Sequence, residues 1–140
     1  MNEIFFLTKT EEETTSDFVK NEFERHALEA GLKIHRDSFS YVLKKEGGDI
    51  VGVLSGERTN SDAYIRNLVV AKDHRQNGFG TYLMETLTKD FRKEGVKRIC
   101  LSTYRYQALG FYQKLGFAIE FVWKDLQDPR LDKIYLSKII

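Results

Sequence analysis

The stretch Leu68-Val69-Val70-Ala71-Lys72-Asp73-His74-Arg75-Gln76-Asn77-Gly78-Phe79-Gly80-Thr81 does most to limit what this chain can fold into. It reads as an apolar strand, a short polar turn, and a glycine-punctuated loop opening directly into a helix. Strand, helix and the next strand, spanning 63 to 102, form a crossover unit, so those two strands lie parallel within a mixed sheet. Two glycines one residue apart remove Cβ atoms that would hold a ligand off the backbone. The helix that follows has unpartnered amide N–H groups and partial positive charge at its start. Loop and helix entry together suit a phosphate or pyrophosphate.

The spacing narrows the ligand. A Walker loop ends in Gly-Lys-Ser/Thr, whereas Gly80 is followed by Thr81 and Tyr82. A dinucleotide fingerprint needs a third small residue where this chain has Leu83. The remaining pattern, Arg75-x-x-Gly78-x-Gly80, resembles the acyl-CoA pyrophosphate loop of the GNAT acetyltransferase superfamily. A second segment, Ala108-Leu109-Gly110-Phe111-Tyr112-Gln113-Lys114-Leu115-Gly116-Phe117, is similar to the helix and strand that follow the family's fifth strand. The run Thr103–Ala108, with its Gln107-Ala108 pair, resembles a subgroup of small bacterial members. The likeness covers roughly residues 50–140 well and the N-terminal third loosely.

Composition fits one soluble domain over residues 1–140, with 41% hydrophobic and 31% charged residues. A formal charge of +1 argues against a nucleic-acid or membrane-surface role. The single cysteine, Cys100, has no intramolecular disulfide partner, and no signal peptide or membrane-length apolar run is evident, so a cytoplasmic protein is expected. Within its strand Cys100 reads as a small packed residue. No metal is expected, and Glu11-Glu12-Glu13 reads as a solvated helix entry.

Strand-like Glu3–Leu7 comes first. Acidic and hydroxyl residues 11–16 then supply helix-start chemistry for a helix over Asp17–Ala30, which Gly31 ends. Strands are predicted over Ser38–Lys45, Ile50–Gly56 and Ala63–Val70, with turns at Gly47-Gly48-Asp49 and Ser61-Asp62. The helix Gly78–Glu94 carries Phe79, Leu83, Met84, Leu87 and Phe91 on one stripe. Val96–Ser102, a helix over Tyr106–Leu115, and strands Phe117–Trp123 and Leu131–Ile139 complete an α/β chain with a mixed sheet, in the order β-α-βββ-α-β-α-ββ. The resemblance implies the same GNAT-like acyl-CoA N-acyltransferase fold, with a cleft between splayed parallel strands. It commonly has two helices where one is evident here.

It also implies an N-acetyltransferase that uses acetyl-CoA and acetylates a small-molecule or peptide amine by direct attack. Backbone groups of Leu68, Val69 and Val70 would run beside the pantetheine arm. Residues Gln76, Asn77, Gly78, Phe79, Gly80 and Thr81 would cradle the pyrophosphate, with Arg75 adding charge. Asn77 suits a tight-turn backbone. Tyr112 occupies the family's position beside the cofactor sulfur, with Tyr104, Tyr106 and Tyr82 as alternatives. Arg105 stands where the family often has asparagine, free to reach phosphates or an anionic substrate. Glu57 and Asp62 are the candidate bases, and His74 and His35 read as surface residues. Trp123 and Tyr135 suit an acceptor pocket or a dimer contact, since small family members often pair through their C-terminal strands. A non-catalytic acyl-CoA sensor on the same fold is the alternative.

Overall fold

The computed structural model describes residues 3–140. The chain divides into two compact units, one ending at Ile34 and one spanning His35–Ile140. In the first, a 3₁₀ turn over Glu12–Thr15 leads into helix α1 (Ser16–Glu29). The hydroxyls of Thr14, Thr15 and Ser16 donate backwards to the carbonyls of Glu11, Glu12 and Glu13. No side chain therefore caps α1, because local back-bonding competes with forward capping. Its end matches the sequence: Gly31 takes a φ of 75°, and the Leu32 N–H returns to the Ala27 carbonyl. Glu3–Leu7, predicted as the first strand, is not one. A strand needs a ladder partner, and among the described residues of this unit no other strand supplies one. The observed order is α-βββ-α-β-α-ββ.

The second unit is a six-stranded mixed sheet carrying two helices. Its strands are β1 (Arg36–Lys44), β2 (Ile50–Thr59), β3 (Asp62–Val70), β4 (Arg98–Tyr104), β5 (Ala118–Trp123) and β6 (Lys133–Ile139). Helix α2 (Phe79–Lys93) connects β3 to β4, and the short α3 (Leu109–Lys114) connects β4 to β5. The sheet order is β1-β2-β3-β4-β6-β5. Only β3 and β4 run parallel; every other neighbouring pair is antiparallel. Gly47 and Gly48, both at positive φ, turn β1 into β2, and Asn60 at φ 56° turns β2 into β3.

The stripe Leu83, Met84, Leu87 and Phe91 of α2 is buried against Leu54, Ala63, Ile65, Ile99 and Leu101. Those strand residues alternate along β2, β3 and β4, so one sheet face meets the helix. Phe39 of β1 packs edge-on against Phe91, with ring centroids 5.0 Å apart. Beside it the Tyr41 hydroxyl donates to Asp90 Oδ2 at 2.8 Å. Burial and that carboxylate push the phenol pKa up to about 12. Among the described residues no helix is long and apolar enough to cross a membrane.

One irregularity shapes the sheet. Ser55 pairs with Asn67 and Gly56 pairs with Ile65, so Arg66 is an extra residue in β3. Such a bulge bends its strand and increases local twist. Pairing between β3 and β4 stops at the same level, after Ile65 and Leu101. Beyond it the two parallel strands part, and β4 continues alone with β6.

Gly56 lies opposite the bulge, where a Cβ would run into the Tyr64 carbonyl and lie 3.0 Å from the Phe39 ring. Gly56→Ala should therefore lower stability by roughly 2 kcal/mol or more, as forced overpacking does. Urea unfolding measures this, and an unchanged midpoint would show that the bulge can relax around a methyl group.

Candidate functional site

Where β3 leaves β4, its backbone edge is open. The Ala71 N–H donates to the Val51 carbonyl at 2.7 Å, so strand alternation turns Val69 toward β2 and Leu68 and Val70 toward the β4 side. The Val70 carbonyl indeed accepts from Arg75 Nε at 3.1 Å. Of the three strand residues predicted to meet a ligand, Leu68 and Val70 line the cleft. Val69 does not, because its period-two position sends its backbone to β2.

The cleft is part of a cavity of about 480 Å³. Leu68, Val70, Arg75, Gln76, Gly78, Phe79, Gly80, Thr81 and Tyr112 line it, together with His74, Ala108 and Phe111. Asn77 is absent from the lining but holds the loop's shape. Its amide donates to the carbonyls of His74 and Arg75 at 3.1 and 3.3 Å. The left-handed backbone falls on Gln76 (φ 64°) and Gly78 (φ 78°) rather than on Asn77. The side-chain lock at Asn77 thus sits between two turned residues.

Gly78 is the N-cap of α2, and no side chain bonds to this helix terminus. The first intrahelical bond runs from the Tyr82 N–H to the Gly78 carbonyl at 2.9 Å. The N–H groups of Phe79, Gly80 and Thr81 thus have no acceptor within the helix, and they sit at its positive end. The two glycines differ in purpose. A Cβ on Gly78 would meet nothing within 4 Å, so its left-handed φ is what calls for glycine. A Cβ on Gly80 would stand 3.2 Å from the Phe111 ring, so here glycine lets α3 approach the first turn of α2.

Helix α3 contributes the opposite wall. Ala108, Phe111 and Tyr112 share one face through i, i+3 and i+4 spacing. That spacing was the signal in the sequence for Ala108 and Phe111, which motif reading alone did not assign. Tyr112 is buried, with Phe111 and Phe117 edge-on at 5.2 and 5.8 Å. Burial raises its phenol pKa above the ordinary value, so the proton stays on at neutral pH. Tyr82, Tyr104 and Tyr106 are exposed and outside the cavity, the last two stacked on each other at 5.9 Å. His74, predicted as a surface residue, is half-buried in the cavity lining with its ring centroid 6.5 Å from that of Phe79.

The charged candidates are already engaged. Arg105 Nε lies 3.2 Å from Asp132 Oδ2, and the Arg105 N–H donates to the Asp132 carbonyl at 2.9 Å. Asp132 is buried and also accepts the Asp125 N–H. Arg105 therefore joins the β4–α3 loop to the β5–β6 loop, and it is not among the residues lining the cavity. Asp62 lies on the closed side of the split, held by Arg98 through two bonds of 3.1 and 2.7 Å. Glu57 lies one strand away with its two oxygens on different guanidiniums, Oε1 facing Arg36 Nε at 3.0 Å and Oε2 bonded to Arg66. Cys100 is half-buried on β4, and burial pushes its thiol pKa up, away from reactivity.

A model of the acetyltransferase (GNAT) family matches residues 2–117. A Xenopus laevis protein named "Probable N-acetyltransferase camello" is 34% identical over 70 residues, covering 49% of this chain and 32% of that protein. The chain thus matches about a third of this relative's length. Among solved structures, an acetyltransferase from Bacillus cereus superposes with a TM-score of 0.79 at 21% identity, covering 96% of this chain and 98% of that one. An acetyltransferase structure from Bacillus anthracis, in complex with acetyl coenzyme A, gives a TM-score of 0.66 at 22% identity over 74% of this chain and 63% of that one. At these identities the structural likeness shows the fold.

The contact between Gly80 and Phe111 is open to direct test. In Gly80→Ala the crowding of the ring opposes the roughly 1 kcal/mol that alanine gains over glycine in a helix. The substitution should therefore be more favourable by about 1 kcal/mol or more when Phe111→Leu is also present. Denaturation of the single and double variants measures the coupling; strictly additive effects would show that the two residues do not compete for space.

Proposed function

The chain belongs to the acetyltransferase (GNAT) family, and on that premise we propose that it transfers the acetyl group of acetyl-CoA to a primary amine by direct attack. The observation that carries this reading is the meeting of two features in one cavity. One is the open, alternating backbone edge of Leu68 and Val70; the other is the uncapped, glycine-turned start of α2.

These groups fit an extended thioester arm that leads to a diphosphate. Such an arm can pair with the Leu68 and Val70 edge as another strand would. The N–H groups of Phe79, Gly80 and Thr81 suit the diphosphate, and Arg75, anchored by Nε on Val70, has its remaining guanidinium donors for the same charge. Acetyl-CoA supplies an activated acyl group when bound. Tyr112 keeps a proton at the cavity wall, available to a departing thiolate. Asp62 has no part in deprotonating the amine, being clamped by Arg98 on the closed side of the split. The aromatic group Phe121, Trp123 and Tyr135, stacked on the last two strands, supports pairing of two copies there.

Calorimetry with acetyl-CoA tests the loop. Gly78→Asp places a carboxylate in open space beside the helix start, costs about 1 kcal/mol of stability through its backbone, and should weaken binding at least about tenfold through like-charge repulsion. Unaltered affinity would move the ligand elsewhere. Thiol release across an amine panel tests the chemistry. Tyr112→Phe should lower kcat far more than acetyl-CoA affinity, while Asp62→Asn should leave the pH profile of turnover unmoved. Tight acetyl-CoA binding with no release on any amine would instead identify a sensor.

A further inference from the structure

We propose that Arg66 and Arg36 form an anion-reading subsite for the acceptor, and that the amine this protein acetylates carries a carboxylate. The inference rests on the acetyl-transfer reading and adds the substrate class. It starts from the bulge. Leu54, Ala63 and Ile65 point to α2, so their alternates Ser55, Glu57 and Tyr64 face the other side of the sheet. Arg66, the extra residue of β3, reaches Glu57 on that second face. Its backbone sits at the level where β3 and β4 separate, so the second face meets the cleft there. Neutral pairs surround the point: Asn67 donates to Ser55 at 3.1 Å, and the Tyr64 and Ser102 hydroxyls bridge β3 and β4 at 3.2 Å.

Charge and depth give the cluster its sign. Two guanidiniums share one carboxylate, which leaves a net positive charge. Glu57 is recessed, its side chain 22% exposed, while those of Arg66 and Arg36 are 59% and 55% exposed. The anion thus lies beneath and orients the cations, whose remaining N–H donors face outward. A guanidinium oriented by one carboxylate is well suited to grip a second in a two-pronged bond. Glu57 lies one strand over from β3, roughly 5 Å away. The reading therefore favours an amine and a carboxylate separated by several bonds, as in an ω-amino acid or a peptide with an acidic residue near its N terminus.

The test uses the full chain with saturating acetyl-CoA. Thiol release is compared for ω-amino carboxylates and their matching carboxamides, and for peptides with an acidic or an amide second residue. The carboxylates should be preferred in kcat/KM by at least about tenfold, mainly through KM. Whichever arm shows the preference identifies a free small molecule or a peptide as the source. Arg66→Gln should bring the ratio close to one, and Arg66→Lys should restore it partly. A purely structural triad would change both acceptor types alike, and that result, or equal rates in the unaltered protein, overturns the subsite. Should no amine release thiol while acetyl-CoA still binds, acetyl transfer itself fails. The subsite is then decided by NMR of the Arg66 Nε–H during titration with an ω-amino carboxylate. A shift absent with the carboxamide sustains it, and no shift removes it.

Discussion

Everything that gives this sheet a cleft follows from one extra residue. Parallel strands held in register would close the β3–β4 seam along its whole length. With Arg66 inserted opposite Gly56, β3 bends away after Ile65, and the edge of Leu68 and Val70 is left to face α3. Glycine at 56 is the counterpart of that bend, since the Tyr64 carbonyl occupies the space a side chain would need. The cavity is thus a product of backbone register, and the side chains only furnish it.

Much of this was legible in the residues. The stripe of α2, the glycine-closed helix ends and the parallel crossover followed from periodicity and turn chemistry, which act over a few residues and survive in any context. The glycine loop was equally visible as a phosphate-binding shape. What periodicity could not show was long-range. Nothing local reveals that Arg105 would meet Asp132 some distance along the chain, or that Glu57 would be shared by two arginines from neighbouring strands. The bulge also escaped reading, since one extra residue leaves almost no trace in an alternation already broken by Arg66-Asn67. Glu3–Leu7 has the composition of a strand and lacks a partner within its unit, a reminder that β-propensity describes a surface to fit and not a structure in itself.

The loop before α2 divides its labour among residues that look interchangeable in sequence. Asn77 ties the turn with its amide, Gln76 and Gly78 carry the left-handed backbone, and Arg75 fastens the loop to the end of β3. Because these restraints are all supplied by the protein, the helix start is held in shape before anything binds. Such preorganisation spares a ligand the entropy of ordering the loop.

The contact between Gly80 and the Phe111 ring has a bearing on how this scaffold can diversify. The same ring both spaces two helices and bounds the cavity, so its size cannot be altered for one purpose without affecting the other. Trimming it to widen the cavity would leave a void at the helix junction. Drift toward a wider cleft would have to begin by refilling that junction from the side of α2, with position 80 as the first to change.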